Sequence, residues 1–165
     1  MKLVDVYQGT GILPGAIDFL YEVMAERAAD PEMNISFTMP TPEQHRQFVH
    51  RRPYRCWYLI EVEGALVGYV NATTHNEIGI FLLKKHRGKG YGEQAVRALM
   101  EKHEPLPAIP SERRGKWIAN VAPSNEHSKH LFGGKLSGRL IQLTYELPGG
   151  EDGEEETEGR ARPVR

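Results

Sequence analysis

The segment from Asn76 to Val96 constrains this chain more than any other. An apolar run from Glu77 to Leu83 is followed by the basic stretch Lys84-Lys85-His86-Arg87 and by glycines at 88, 90 and 92. Beyond them Ala95, Val96, Leu99 and Met100 repeat at helical spacing. That order reads as strand, glycine-rich turn and helix. Glycine permits positive φ and a close approach of backbone to ligand, and a helix opening there aims its positive end at the same point. Successive N–H groups then converge, and the expected product is an anion site fit for phosphate.

Two common phosphate loops fail on spacing. A P-loop needs Gly-x-x-x-x-Gly-Lys-Ser/Thr, whereas Lys89 is followed by Gly90 and Tyr91, so no hydroxyl is placed for Mg²⁺. A dinucleotide fingerprint needs an acidic residue about 20 positions further on, and that distance falls in a proline-rich loop. Downstream, Lys116 to Val121 reads as a strand, and Pro123 to Phe132 as a helix capped by Ser124.

Arg87-x-x-Gly90-x-Gly92 after an apolar strand, followed by Asn125, Ser128, Leu131 and Phe132 in an Asn-x-x-Ser-x-x-Leu-Phe block, resembles the GCN5-related N-acetyltransferase (GNAT) superfamily. The resemblance covers residues 1 to 147. It implies an α/β (α+β) fold with a mixed, mostly antiparallel central sheet, a splayed parallel strand pair and flanking helices. It also implies acetyl-CoA as cosubstrate. The pyrophosphate would lie on Arg87, Gly88, Lys89, Gly90, Tyr91 and Gly92. The pantetheine arm would pair along Phe81, Leu82 and Leu83, flanked by Asn120, Asn125, Ser128 and Phe132. A backbone N–H around Phe81 to Leu83 would meet the thioester oxygen.

The sequence departs from the family in two places. After the second helix it runs Gly133-Gly134-Lys135-Leu136-Ser137-Gly138-Arg139, without the family's Leu-Gly-Phe. Phe132 also stands where many relatives carry a tyrosine that protonates the leaving thiolate, which leaves Tyr145 or solvent for that step.

The implied reaction moves an acetyl group to a primary amine of a small molecule such as an aminosugar, an amino acid or a modified nucleotide. A protein N-terminus or lysine is the alternative acceptor, and an acyl-CoA-binding protein of weak activity is the alternative class. An alkylammonium is only about one part in 10³ neutral at pH 7, so a general base is needed. Acidic residues in the strand before the phosphate loop serve as base in several relatives, and Glu77 opens that strand here. A solvated strand-end carboxylate is the alternative reading of Glu77, and His75 is the next candidate base.

Elsewhere Leu3 to Tyr7 suggests an edge strand. Pro14 starts a helix with Ile17, Leu20, Tyr21 and Met24 on one stripe, and Asp30-Pro31 ends it. Met33 to Pro40 is a loop expected to overhang the substrate site. Thr41-Pro42-Glu43-Gln44 caps a helix through His50. Arg55 to Val62 and Ala65 to Thr73 form a hairpin about Glu63-Gly64. Glu104 to Gly115 is a loop, and Leu140 to Glu146 a last strand. The domain is read as 1–147. A disordered acidic tail at 148–165 holds six acids and three arginines, and it leaves the rest near +2 in a chain of net charge −1.

A chain of 165 residues with 39% hydrophobic and 26% charged residues can bury a core as one domain. Near-neutral charge and the absence of aromatics among Lys84 to Lys89 argue against nucleic acid as a partner. No metal is expected, because the seven histidines lack ligand spacing. Cys56 at a strand start reads as a small core residue. The start Met-Lys-Leu-Val-Asp-Val has no apolar signal segment, and no 18-residue apolar run follows. A cytoplasmic monomer or homodimer with no membrane partner is the expectation.

Overall fold

The computed structural model describes residues 1–30 and 38–145. Most of the loop expected to overhang the site, and the whole of the expected tail, lie outside the described residues. Four strands, β1 (Lys2–Asp5), β4 (Cys56–Val62), β5 (Ala65–Ala72) and β6 (Ile78–Leu82), form one sheet in the order β1-β4-β5-β6. Every pair in it is antiparallel. Two short strands, β2 (Tyr7–Gln8) and β3 (Gly11–Ile12), make a small hairpin whose turn uses Gly9 at φ +59°.

The helices cover both faces of the sheet. Helix α1 (Ala16–Ala28) and helix α2 (Pro42–His50) lie on one side, over Trp57 and Leu59. Helix α3 (Tyr91–Lys102) lies on the other, where Ala95, Val96 and Leu99 pack with Tyr58, Ile60 and Val70. Double coverage explains why β4 reads Cys-Trp-Tyr-Leu-Ile without polar alternation. The hairpin turn is at Glu63 and Gly64, both at positive φ, as a two-residue type I′ turn requires. Thr41 and Gln44 close a reciprocal capping box at α2, with Pro42 in its first turn.

Several expectations are corrected. Helix α1 begins at Ala16 after a left-handed Gly15, not at Pro14, because Leu13 to Ala16 closes a tight turn first. Met100 is exposed rather than buried. The strand expected at Lys116 to Val121 survives as one parallel bridge, Glu77 with Ile118. Ile78 N donates to Ile118 O and Ile118 N donates to Asn76 O. Pro123 and the turn into α4 (Glu126–Lys129) then carry the chain away. The strand expected at Leu140 to Glu146 does not form through Tyr145, and Leu140, Leu143 and Tyr145 are exposed. Strand propensity needs a partner edge, and the single bridge at Ile118 offers none. Helix α4 passes into a π-helical turn, His130–Lys135.

Candidate active site

Pairing fixes which groups β6 presents on its open edge. Leu83 N donates to Val67 O, and hydrogen-bonded pairs alternate in an antiparallel ladder, so Phe81 and Gly79 also turn their backbone groups toward β5. Phe81 O lies so close to β5 that a Cβ on Gly68 would stand 2.1 Å from it. Ile80 and Leu82 therefore direct their N–H groups outward, on the side where Ile78 N meets Ile118. No acceptor for either is found among the described residues. Of Phe81, Leu82 and Leu83, only Leu82 has an outward amide. The side chains of Phe81 and Leu83 pack with Val23 of α1. Ile80 was missed because alternation in a sequence has a period but no phase until the partner strand is known.

The same edge runs into the glycine turn. A 3₁₀ turn, Lys84–His86, leads to Gly88 at φ +75° and Gly90 at φ +79°. Gly90 is the N-cap of α3. From Gly88 to Glu93 no N–H finds an acceptor among the described residues, as expected for a loop joined to the first turn of a helix. A groove of about 300 Å³ joins this turn to Ile80 and Leu82 on one wall and to Ser128, Leu131 and Lys135 on the other. The residues present thus fit a pyrophosphate with an extended arm. Arg87 and Lys135 are the cations of its lining, and Lys84, Lys85 and Lys89 belong to the turn itself. Desolvation, with Lys85 and Lys89 beside it, holds the His86 imidazole below its ordinary value, so it is neutral at pH 7.

Other expected residues stand elsewhere. Arg87 folds inward: Nε donates to Leu82 O at 2.9 Å, Nη1 meets Asp30 at 2.9 Å, and Nη2 lies 3.6 Å from Glu26. Its guanidinium also covers the Phe81 ring. Arg87 therefore fastens α1 to β6, although its side chain borders the groove. Asn125, not Ser124, caps α4, accepting from Ser128 N at 2.9 Å. Phe132 packs against the core under α3, while Leu131 lines the groove. Tyr91 opens α3 and packs there too.

Glu77 sits at the bridge from which β6 and the Ile118 segment diverge. One carboxylate oxygen accepts from Thr73 Oγ1 at 3.1 Å and the other from the Asn120 amide at 3.0 Å. Two donors fix the carboxylate's direction, and each oxygen keeps a lone pair for a further donor. His75 is exposed, and its backbone N donates to Thr73 Oγ1. Between them, Asn76 is fully buried at φ +63°. Its amide donates to Leu106 O and Arg114 O and accepts from Leu106 N, which ties the 104–115 loop beside Glu77. Cys56 is buried and its thiol is pushed up by desolvation, which suits a core residue.

On the α1–α2 face a second cavity of about 600 Å³ lies over Trp57 and Tyr69. Burial pushes the Tyr54 phenol up to about 12, against a smaller lowering pull from the Asn71 side chain. Asn71 in turn rests on Gly79, where a Cβ would stand 2.6 Å from its oxygen. Glu77 and Gly79 share a face by strand alternation, so the cavity and the carboxylate lie on one side of the sheet.

Comparison with known proteins places this geometry. Residues 20–136 match the family model described as Acetyltransferase (GNAT) family. The fold is similar to that of RimL, a ribosomal alpha-N-protein acetyltransferase in complex with coenzyme A, at 16% identity and TM-score 0.58, over 81% of this chain and 82% of that one. An aminoglycoside acetyltransferase from an uncultured soil metagenomic sample gives 20% identity and TM-score 0.54, over 91% and 100%. A chimera of the spermidine N-acetyltransferase SpeG from Vibrio cholerae and hSSAT gives 18% and 0.51, over 82% and 79%. No curated protein matches by sequence. Among the described residues no helix is long and apolar enough to cross a membrane.

Proposed function

The chain belongs to the Acetyltransferase (GNAT) family and is an acetyl-CoA-dependent N-acetyltransferase, and from that premise we propose that it acetylates a primary amine of a small molecule with Glu77 as general base. Acetyl-CoA supplies the acetyl group as a thioester. The open N–H groups from Gly88 to Gly92, at the positive end of α3, hold its pyrophosphate. The outward N–H groups of Ile80 and Leu82 pair with its arm as an added strand would, and Ile80 is the amide placed to donate to the carbonyl oxygen. Lone pairs on the Glu77 carboxylate receive the ammonium proton, directly or through one water.

One observation carries this reading: the Glu77 carboxylate, clamped by Thr73 and Asn120, stands where the β6 edge opens and faces the side of the sheet that holds the cavity over Trp57. A cavity of about 600 Å³ is in the range of small-molecule sites and supports a small acceptor over a protein.

The test is Glu77→Gln. It keeps the side-chain shape and acetyl-CoA affinity, and it is expected to lower kcat/KM by about 10²-fold near neutral pH. The deficit shrinks as pH approaches the acceptor's own pKa, where the amine deprotonates unaided. A variant within about threefold of the parent across that range would remove Glu77 from the mechanism, and His75 or a water chain would replace it.

A further inference from the structure

Glu77 is held by neutral donors. It forms no ion pair among the described residues, and its two side-chain bonds come from a hydroxyl and a carboxamide. The hydroxyl can act in one direction only. Thr73 Oγ1 accepts from His75 N at 3.1 Å and from Glu77 N at 3.2 Å, which occupies both of its lone pairs. Its single proton is left for Glu77 Oε2, 3.1 Å away. The amide is oriented as firmly, because a turned Asn120 would set its oxygen against Glu77 Oε1, where Nδ2 donates at 3.0 Å.

The two donors come from segments that one residue joins. Thr73 opens the tight turn into β6, closed by Thr73 N to Glu77 O at 3.0 Å and by Asn76 N to Thr73 O at 3.2 Å. Asn120 lies two residues past Ile118, whose N donates to Asn76 O at 3.0 Å. The buried Asn76 side chain fastens the 104–115 loop to the same turn through Leu106 and Arg114, and Arg113 Nη1 adds a bond to Thr74 O at 3.0 Å. Asn120 is not among the residues that line the groove beside β6.

Deepening the base reading above, on which it rests, we propose that Thr73 and Asn120 are positioning residues for Glu77, and that Asn120 serves the carboxylate rather than the cofactor arm on which the resemblance put it. A carboxylate free to rotate faces the acceptor only part of the time, and two fixed donors remove that freedom. Neither donor carries a charge. A lysine or arginine in either place would neutralise the carboxylate and compete with the incoming ammonium, whereas a hydroxyl and an amide orient it and leave its charge for that ammonium.

The experiment is a double-mutant cycle in the full chain, read by kinetics of CoA release, by acetyl-CoA calorimetry and by the Asn120 side-chain amide signal in NMR. The acceptors are spermidine, glucosamine, L-lysine and a hexapeptide with a free N-terminus, and the fastest of them is used throughout. Asn120→Ala, at an exposed position, is expected to lower kcat by about tenfold and to leave acetyl-CoA affinity within about twofold. In a Glu77→Gln background the same change is expected to cost less than about twofold more, because no carboxylate is left to aim. Thr73→Val is expected to lose about tenfold in kcat, and Thr73→Ser, which keeps the hydroxyl, to recover to within about threefold of the parent. The Asn120 amide signal is expected to move on Glu77→Ala and to hold still when acetyl-CoA is added. The calorimetric and NMR arms need no acceptor. A loss of acetyl-CoA affinity of about tenfold in Asn120→Ala, or an amide signal that follows acetyl-CoA and ignores Glu77→Ala, would overturn the proposal. So would a Thr73→Ser as slow as Thr73→Val. Glu77→Gln within about threefold of the parent ends the base reading and this one together, whereas an Asn120→Ala loss that multiplies with that of Glu77→Gln ends this one alone.

Discussion

The groove beside β6 and the cavity over Trp57 are made of different materials. The open donors of the groove are backbone: outward amides at 80 and 82 and a run from 88 to 93 with no acceptor among the described residues, all within one short stretch of the sequence. The cavity is side chain, gathered from α1, α2, β4, β5 and the turns between them. A backbone site is set by a few glycines and by strand phase, so its ligand can be read from spacing. A side-chain site changes its ligand with each substitution, and its members are brought together only by the fold.

The sharpest way to break this contrast is Gly90→Val. Gly90 is at φ +79° at the mouth of α3, and a β-branched side chain there both strains the turn and blocks approach to its amides. Acetyl-CoA affinity is expected to fall by about 100-fold or more, at a stability cost of about 1–2 kcal/mol that leaves the protein folded. Unchanged affinity by calorimetry with a normal thermal transition would show that the turn is not the phosphate site.

Arg87 tests whether a charged side chain can border the groove and yet act chiefly as a fastener. Arg87→Ala removes the link from β6 to Asp30 and Glu26, in a partly buried network, and is expected to cost about 2 kcal/mol in denaturant unfolding. Acetyl-CoA affinity should fall by less than about tenfold in the folded variant. A large affinity loss with little loss of stability would reverse its assignment.

The smallest expected effect is on pH dependence, and it belongs to the cavity side. Burial of His45 lowers its pKa, so the folded protein binds that proton less readily than the unfolded chain does. Stability is therefore complete above the unfolded imidazole's ordinary value near 6.5 and declines as pH falls below it. His103, also lowered, first by burial and then by Arg55 and Lys102, contributes with the same sign. His45→Gln, which retains an amide donor for Ile17 O, is expected to flatten the decline between about pH 7 and 5 without shifting acetyl-CoA binding. An unchanged slope would show that His45 does not titrate on unfolding.

Much of the fold was legible because the decisive signals are local. The Glu63-Gly64 turn, the Thr41-Pro42 cap and the order from Glu77 through Gly92 each specify a conformation within a few residues. The segments at 116–121 and 140–145 failed for the opposite reason: their side chains suit a strand, but a strand also needs a free edge at the right place, and propensity does not supply one. In the candidate site, Gly88 to Gly92 lie where spacing put them, whereas Phe81 and Leu83 turn toward β5 and Arg87 turns toward α1. Asn76 was invisible, since a lone Asn gives no sign that it will be buried with three hydrogen bonds. The cavity was invisible too. Nothing in the spacing sets Tyr54, Trp57 and Tyr69 apart, and they line it only because the fold brings α1, α2, β4 and β5 together around them.

The central claim is that acetyl-CoA lies along the β6 edge and the glycine turn while the Trp57 cavity remains free for the acceptor. Backbone hydrogen exchange, followed residue by residue with and without acetyl-CoA, tests it most directly. The expected result is new protection at Ile80 and Leu82 and from Gly88 to Gly92, with little change at Phe81 and Leu83, already bonded to β5, or at Tyr54, Trp57 and Tyr69. Protection at Tyr54, Trp57 and Tyr69 with none between Ile80 and Gly92 would contradict the account.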